Sequence, residues 1–428
     1  MLYPLTRPLA KIALSVFFRK LYLSGLENID WEKPVILAAN HPTAFIEPCI
    51  LACWLPKPLH FMVRGDFFLK PVSNWILRDY NMIPFFRMED AGVAGVKENY
   101  KSVEETAAVL RSHHPVLILA EGHTVHEKRL RPLMKGTGRV ALGAQEQYPD
   151  LDIQLVPVGV NYTYADRFRS EVMIHFGAPI RVRDFVPAYQ ANPANALRDI
   201  TEALRGELEK HIVIIREKAD ERWTDQLLIQ YRNNEAAPFA PHTEFQGRRL
   251  EAEKRITAQV NNLPEVEKAS WKAKVENYSS ALKRLGVSDR ALSGKNGFSL
   301  GPAIALILGA PLFLLSFLIH FLPLWLAGRI GFGKLVPRYE FKASVALVAG
   351  MVLYILLALL LLVLGVLLLG WSMTALLFVL AGVSGWFGLW YKSLLDRAKA
   401  WLQTRWLSPQ ERAELQNQRT EIGDFFHL

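Results

Sequence analysis

Short apolar runs alternate with amphipathic stretches over the first half of the chain. The runs of strand length are 23–29, 34–39, 59–63, 82–88, 116–120, 154–162 and 172–176. The stretches with helical spacing of their apolar residues are 47–55, 67–78, 97–112, 136–147 and 195–218. Strands that alternate with helices predict an α/β fold, in which helices lie on the faces of a sheet. This domain would cover residues 23–218.

The N-terminal segment, residues 3–24, mixes apolar clusters with basic residues. Its basic residues are Arg7, Lys11, Arg19 and Lys20. From Pro8 onward the pattern predicts an amphipathic helix with a basic side. Such a helix can lie in a membrane interface, or it can be an ordinary surface helix packed on a core. The long apolar runs after residue 297 favour the first alternative, a membrane-associating helix over 1–22.

Charged residues dominate from 219 to 296, where prolines interrupt long amphipathic stretches. This composition predicts a helical linker that folds as a hairpin and turns between Asn261 and Pro264. Because charged side chains are rarely buried without a partner, we expect these charges to form a solvated face rather than a binding site.

Three long apolar runs follow, at 298–328, 343–370 and 374–391. About 20 apolar residues are needed to cross a bilayer, so the last two runs predict a transmembrane hairpin over 343–391. Lysines and arginines flank this hairpin at both ends, and the positive-inside rule then places both flanks in the cytoplasm. The chain would end in a membrane domain, 297–392, and a cytoplasmic tail, 393–428.

The first of these runs, 298–328, allows two topologies. A single crossing would put the basic clusters before and after it on opposite sides of the membrane, against the positive-inside rule. Gly309 and Pro311 instead suggest a break at which a re-entrant pair of half-helices turns back to the cytoplasmic side. The charge distribution favours the re-entrant form, and the spanning form stays open.

The net charge of +9 suits an anionic partner, such as a phosphate-bearing substrate or an anionic membrane surface. No zinc-finger spacing, RNA-binding aromatic signature or long basic arm occurs in the sequence, which argues against a nucleic-acid partner. The two cysteines, Cys49 and Cys53, stand one helical turn apart, where they cannot easily bridge. They are expected to be free thiols in a reducing compartment.

The candidate chemistry begins with His41, which follows the apolar run 34–39, and with Glu47, which stands at the start of the next helix. A carboxylate that accepts from one imidazole nitrogen leaves the other nitrogen free to act as a base. The alternative is a core histidine in a tight turn, with Glu47 favoured there by the helix dipole. Arg87 and Glu121 also follow predicted strands, where the chemistry of α/β proteins collects.

Four sequence blocks, in this order and spacing, resemble the phospholipid/glycerol acyltransferase family. The blocks are NHPTAFIEP (40–48), IPFFR (83–87), LAEGHT (119–124) with LRPLMKGTG (130–138) downstream, and VPVGVNY (156–162). The resemblance covers roughly residues 20 to 215. It implies a mixed sheet flanked by helices, followed here by the helical linker and an α-helical membrane domain.

The resemblance also implies residue roles. His41 would be the general base and Glu47 its partner carboxylate. Two further groups would bind the glycerol-phosphate end of the acceptor: Arg87, Glu121 and Gly122, and, as further phosphate contacts, Thr124, Arg131 and Lys135. Arginine suits this task because its guanidinium matches phosphate oxygens. No metal site and no cofactor are expected, since acyl-CoA or acyl-carrier protein is a co-substrate.

The implied reaction moves an acyl chain from acyl-CoA or acyl-carrier protein to 1-acyl-glycerol-3-phosphate, which gives phosphatidate for phospholipid biosynthesis. It would occur on the cytoplasmic face of an integral membrane protein. Five residues separate His41 from Glu47 and the acid is Glu, whereas the commonest family pattern has four residues and Asp. This departure leaves the acceptor open: glycerol-3-phosphate, another lysolipid or an aminolipid. A non-catalytic lipid-binding membrane scaffold is the alternative of a different class.

Overall fold

The computed structural model describes residues 2–86, 88–235, 242–293 and 298–428, without the side chains of 88–98. Within these residues the chain divides into two compact units. The first comprises Met1–Ile212, Thr243–Leu250 and Lys334–Leu347. The second comprises Val213–His242, Glu251–Gly333 and Val348–Leu428. The sequence did not predict that two short segments far along the chain, 243–250 and 334–347, belong to the first unit.

The first unit is built on one mixed sheet. In the described residues its strands are β1 (Phe18–Ser24), β2 (Val35–Ala39), β3 (His60–Arg64), β4 (Met82–Phe85), β5 (Val116–Leu119), β6 (Gln154–Tyr162), β7 (Ser170–Phe176), β8 (Ile180–Arg181) and β9 (His242–Glu244). Their order is β4-β3-β5-β2-β6-β7-β1-β9, and β8 pairs with β6. The strands from β4 to β6 are parallel, whereas β7 runs antiparallel to β6. The predicted mixed α/β sheet is confirmed.

Helices flank this sheet as expected. They are α1 (Leu2–Phe17), α2 (Ile46–Trp54), α3 (Pro71–Asp79), α4 (Met88–Arg111), α5 (Gly136–Gln147), α6 (Val186–Ala191) and α7 (Pro193–Glu209). The predicted helix over 195–218 is too long, since α7 ends at Glu209. Strand β2 lies in the middle of the sheet and is buried along its whole length, as its unbroken apolar sequence predicts.

Strand β1 corrects the prediction for the N-terminus. The helix predicted to reach residue 22 ends at Phe17, and the chain continues as a strand instead of starting one at residue 23. The local pattern suits either state, and the parallel pairing of β1 with β7 selects the strand. The basic side chain of Arg19 is tolerated there because its guanidinium lies 2.5 Å from the carboxylate of Glu171.

The second unit packs the predicted linker with the predicted tail. Its helices outside the apolar runs are α8 (Glu221–Asn233), α9 (Arg248–Asn262), α10 (Glu265–Arg284), α11 (Asp289–Leu292) and α14 (Pro409–Phe426). The turn predicted between 261 and 264 is confirmed. Trp223, Ile256, Tyr278 and Phe426 share one core, so the described residues 219–235 and 251–293 belong to a packed helical unit and not to an extended connector.

Several charges of this stretch are buried, against the expectation of a solvated face. Arg232 and Glu253 form an ion pair of 2.7 Å that is almost fully buried. Asp289 is also buried and lies 3.0 Å from the guanidinium of Arg419. Each buried charge has an opposite partner, which is the condition under which charged side chains enter a core.

Two apolar helical elements of the described residues are long enough to cross a membrane, α12 (Leu300–Gly331) and α13 (Tyr339–Arg405). In each element only 6% of the most apolar stretch of 18 residues is buried. The leucines of these stretches therefore face outward and suit lipid rather than water. Gly370 interrupts α13 with a positive φ of 78°, which glycine adopts without strain. Gly365 lies against Thr374, so the two arms fold back as the predicted hairpin.

Helix α12 contacts both arms of this hairpin. His320, near its middle, bonds Tyr354 on one arm at 3.0 Å and the carbonyl of Ala381 on the other at 3.1 Å. Further contacts join Phe298 to Trp401, Phe313 to Tyr391 and Ala327 to Gly350. Of these hairpin residues, the partners of His320, Tyr354 and Ala381, are the fewest residues away from Gly370 along each arm. The middle of α12 therefore lies nearer the turn of the hairpin than the other contact points do.

The break predicted at Gly309 and Pro311 is wrong, because α12 remains helical through both residues. Gly309 instead allows close packing: a side chain there would collide with Phe387 and Tyr391. Pro323, three residues after His320, is buried inside the same helix. A small residue at a helix crossing is a common packing device in membranes, which explains this glycine without a chain break.

Candidate active site

A cavity of about 1130 Å³ opens in the first unit where the parallel strands end. Its wall includes His41 after β2, Ala120 and Gly122 after β5, Arg64 at the end of β3 and Phe85 at the end of β4. Neighbouring parallel strands end at the same edge of a sheet, where α/β proteins bind ligands. The amide of Ala120 donates to the carbonyl of Ala39 at 2.8 Å, which holds the ends of β5 and β2 together.

His41 and Glu47 meet as predicted. The Nδ1 atom of His41 lies 2.8 Å from Oε1 of Glu47, and both side chains are buried. A carboxylate can only accept, so Nδ1 carries the proton and donates it to Glu47. In the neutral imidazole the opposite nitrogen, Nε2, is then the acceptor, and His41 lines the cavity. This tautomer is the one that a general base requires.

Glu47 is fixed by donors other than His41. The amide of Thr43 donates to Oε1 at 3.1 Å, and the Thr43 hydroxyl donates to Oε2. The hydroxyl of Tyr162, at the end of β6, donates to Oε2 at 3.3 Å. Burial, and next the negative charge of Glu47, hold the pKa of the Tyr162 phenol well above its ordinary value, so it stays a donor.

Thr124 contacts the nitrogen of His41 that faces away from Glu47. Its hydroxyl is 2.7 Å from Nε2, close enough to donate to it. The phosphate contact expected for Thr124 stays a prediction. Its hydroxyl occupies the position from which a reacting hydroxyl would give its proton to His41.

Glu121, Gly122 and Arg131 hold loops in place. Glu121 is buried, is absent from the cavity wall, and accepts from the amide of Arg131 at 3.4 Å. Burial raises the pKa of this carboxyl, while the amides of Arg131 and His41 oppose the rise. Gly122 has a φ of +69°, and a side chain there would meet Met134. The side chain of Arg131 does not reach the cavity wall.

Lys135, predicted to contact phosphate, lines the cavity, and so does a second cation, Arg139. Lys135 stands just before the first turn of α5, and Gly136, Thr137 and Arg139 of that turn also line the cavity. The N-terminus of a helix presents free amides and a partial positive charge to anions. The hydroxyl of Thr137 is buried and has no hydrogen-bond partner among the residues that the structure describes. Arg139 was missed, although its position one turn after Lys135 was a signal.

Arg87 lies outside the described residues. The residue before it, Phe86, is held by Asn99, whose side chain donates to the carbonyl of Phe86 at 2.6 Å and accepts from its amide at 2.7 Å. Asn99 is buried and was not selected from the sequence. The backbone leading to Arg87 is thus fixed at the same sheet edge as His41.

The remaining wall of the cavity is largely apolar. Ala52, Phe61, Met62 and Met82 are among the side chains that line it. Cys49 and Cys53 also line it, and both are free, as predicted. Burial raises the pKa of the Cys49 thiol to about 12 and that of Cys53 to about 11. Both are therefore protonated at neutral pH and behave as apolar wall rather than as nucleophiles.

Known proteins match this part of the chain. Residues 20–161 match the family described as Acyltransferase. The chain is 36% identical over 76 residues to glycerol-3-phosphate O-acyltransferase 1 of Saccharomyces cerevisiae, covering 18% of this chain and 10% of that protein. It is 32% identical over 95 residues to an uncharacterized acyltransferase of Schizosaccharomyces pombe, covering 22% and 13%.

Among solved structures, the 1-acyl-sn-glycerophosphate acyltransferase PlsC from Thermotoga maritima is similar with 15% identity and a TM-score of 0.34. The match covers 48% of this chain and 78% of that one. The chain spans only about a tenth of the length of the curated relatives, 10% and 13%. The family match nevertheless includes His41, Glu47 and Glu121. Residues 20–161 are therefore similar to an acyltransferase domain.

Proposed function

We propose that the protein transfers an acyl chain from a thioester, acyl-CoA or acyl-carrier protein, to a hydroxyl of a glycerol-phosphate acceptor. One observation carries the proposal: the Nδ1 atom of His41 is bonded to Glu47, while Nε2 stands at the cavity wall. This arrangement leaves a neutral imidazole nitrogen ready to accept a proton inside a cavity large enough for a lipid substrate.

In this reaction the proton of the acceptor hydroxyl passes through His41 to the leaving thiolate. The acceptor hydroxyl replaces that of Thr124 beside Nε2 and gives its proton to His41 as its oxygen attacks the thioester carbonyl. The tetrahedral intermediate then collapses, the carbon–sulfur bond breaks, and the leaving thiolate takes the proton from His41. Glu47 stabilises the transient imidazolium and holds its orientation. No acyl-enzyme and no redox step are needed.

The two ends of the substrates suit different parts of the cavity. Lys135, Arg139 and the first turn of α5 provide positive charge for the phosphate. The apolar wall around Phe61 and Met82 suits an acyl chain. The amide of Gly122 already donates to the carbonyl of Leu119, so the Glu121–Gly122 turn is a weak candidate for oxyanion stabilisation.

Two acceptors have separate support. The names of two relatives, glycerol-3-phosphate O-acyltransferases 1 and 2 of Saccharomyces cerevisiae, favour glycerol-3-phosphate. The size and apolar wall of the cavity suit 1-acyl-glycerol-3-phosphate, which brings a chain of its own. Our first choice from the sequence was the second acceptor, and the relatives make glycerol-3-phosphate an equal candidate.

The test is acyl transfer by the purified full-length protein in detergent or lipid vesicles. Labelled acyl-CoA and acyl-carrier protein are each offered with glycerol-3-phosphate, with 1-acyl-glycerol-3-phosphate and with a lysolipid that lacks a phosphate monoester. We expect transfer to at least one of the two phosphate monoesters and little to the third acceptor. Release of free fatty acid alone, or no reaction with any acceptor, would contradict the proposal and favour a lipid-binding scaffold.

The active site would work at a membrane surface, on the cytoplasmic side. Helix α1 exposes Leu5, Leu9 and Ile12 on one stripe, which fits the predicted interfacial helix. Trp75 and Leu69, in and before α3, are also largely exposed, at 62% and 76%. Large apolar side chains that are exposed in this way can contact the bilayer surface, where a lipid substrate resides.

A bend within the continuous helix α12, in place of the break expected from the sequence, would keep both of its flanks on one side of the membrane. Phe298, just before α12, and Ala327, near its end, contact the hairpin farther from Gly370 than His320 does. A helix that enters and leaves on one side keeps all basic flanks in the cytoplasm, as the positive-inside rule asks. Single cysteines at 283–290 and 332–342 test this: we expect impermeant thiol reagents to label both from the cytoplasmic side. Labelling from opposite sides would establish a single crossing.

A further inference from the structure

The segment 334–347 belongs to the first unit although it lies between the two apolar elements of the sequence. Ala343 and Leu347 are buried in the core of the sheet, at 2% and 7% exposure, together with residues of α1, β2 and α2. This burial anchors the segment to the acyltransferase domain independently of any substrate.

The anchored segment reaches both loops around His41. The carbonyl of Glu340 accepts from the amide of Ala44, inside the turn between His41 and Glu47, at 3.3 Å. The ring of Tyr339 lies 5.8 Å from that of His126, in the loop that carries Thr124. A stretch almost 300 residues downstream of His41 thus forms part of the active-site wall.

Arg338 is the cation that this segment brings to the cavity wall. Its guanidinium has neither a hydrogen bond nor an ion pair with another residue in the described part of the chain. Glu340 also lines the cavity, but Arg7, Arg64, Lys135 and Arg139 do so as well, so the wall carries an excess of positive charge. Such an excess attracts an anionic substrate.

We propose that Arg338 is a substrate-binding residue, which pairs with a phosphate group of one of the two substrates in the acyl-transfer site. The inference rests on the proposed function and deepens it, because it gives the segment before the transmembrane hairpin a role in recognition. A phosphate is a group that both substrates carry: the glycerol-phosphate acceptor has one, and so do CoA and the prosthetic group of acyl-carrier protein. Guanidinium forms paired, charge-assisted hydrogen bonds with it.

The test compares Arg338→Ala with Lys334→Ala in full-length protein, using steady-state kinetics with each substrate varied in turn. Lys334 is the matched control because it is exposed in the same segment and does not line the cavity. Its substitution by alanine removes one positive charge, as Arg338→Ala does. We expect Arg338→Ala to raise the KM of one substrate roughly 10- to 100-fold, the usual value of a charged hydrogen bond, with kcat nearly unchanged. The Lys334 variant should match the wild type.

The substrate whose KM rises is the one whose phosphate binds Arg338. Arg338→Lys should restore part of the lost affinity, because the lysine ammonium keeps the positive charge but not the paired donors of the guanidinium. Unchanged KM values for both substrates, or a fall in kcat alone, would overturn the role of Arg338. A wild-type protein that acylates no glycerol-phosphate acceptor would instead refute the proposed function. The two failures are therefore separate.

Discussion

The two sides of the active-site cavity differ in how their polar groups are satisfied. On one side Glu47 accepts from His41, from the amide and hydroxyl of Thr43 and from Tyr162, all in buried positions. On the other side Lys135, Arg139 and Arg338 line the cavity, and none of them has an ion pair within the described residues. The carboxylate on the first side is therefore fully hydrogen-bonded by the protein, whereas the cations on the second side remain available to an anionic substrate.

This difference separates rate from binding. A base that is already oriented does not have to reorganise during the reaction, so its network should act mainly on kcat. Cations without partners gain most when an anion arrives, so they should act mainly on KM. Substitutions on the two sides should therefore change different kinetic constants, and their effects should decrease in the order given below.

The largest effect is expected for His41→Ala. Without the imidazole no group beside the reacting hydroxyl can take its proton, so kcat should fall about 10²- to 10⁴-fold, the usual contribution of a general base. The variant should elute and melt as the wild type does and should remain in the membrane. Activity close to that of the wild type would remove His41 from the mechanism.

Glu47→Gln should come next, with a loss of roughly 100-fold in kcat and little change in KM. The amide keeps the shape of the side chain but no longer fixes the proton on Nδ1 or stabilises the imidazolium. Tyr162→Phe is the matched comparison, since it removes one hydrogen-bond donor to Glu47 but keeps the hydrogen bond between Glu47 and His41. It should cost only a few-fold. A raised KM with unchanged kcat in Glu47→Gln would rule out this role.

Lys135→Ala and Arg139→Ala should each raise the KM of the phosphate-bearing acceptor about tenfold and leave kcat nearly constant. Lys210→Ala offers a control, because Lys210 is exposed, does not line the cavity and pairs with Glu207 on the surface. If the two variants lowered kcat and left KM alone, α5 would support the base rather than the acceptor.

Thr124→Val should have the smallest effect, within a few-fold of the wild type in kcat. Its hydroxyl stands where the acceptor hydroxyl is expected, so removing it leaves His41 and its partner intact. Mass spectrometry of the wild type after incubation with acyl-CoA alone provides a second readout. Loss of activity in Thr124→Val, together with an acyl group on Thr124 in the wild type, would indicate a covalent intermediate instead.

The sequence predicted well the features whose causes are local. The bounds of α5 and β6 agree with the prediction, since a glycine-bounded amphipathic stretch and an unbroken apolar run define them. The contact between His41 and Glu47 was also predictable, because the two residues lie six apart, one just after a strand and the other in the first turn of the next helix. In each case the signal and the structure occupy the same few residues.

Features that depend on distant partners were missed. Strand β1 was predicted as helix because only its pairing with β7 decides between the two states. Tyr162 and Arg338 reach the site from 115 residues away and from the far side of an apolar run, respectively, and no local pattern marks them. The contact of Thr124 with His41 was also missed, because spacing does not reveal which way a loop residue turns.

The central claim, that one side of the cavity supplies rate and the other supplies binding, is tested most directly by measuring kcat and KM for Glu47→Gln and Arg139→Ala in the same assay. The acceptor is whichever glycerol phosphate the wild type acylates. We predict that Glu47→Gln lowers kcat roughly 100-fold with KM nearly constant, and that Arg139→Ala raises KM about tenfold with kcat nearly constant. Both variants changing the same constant would contradict the account.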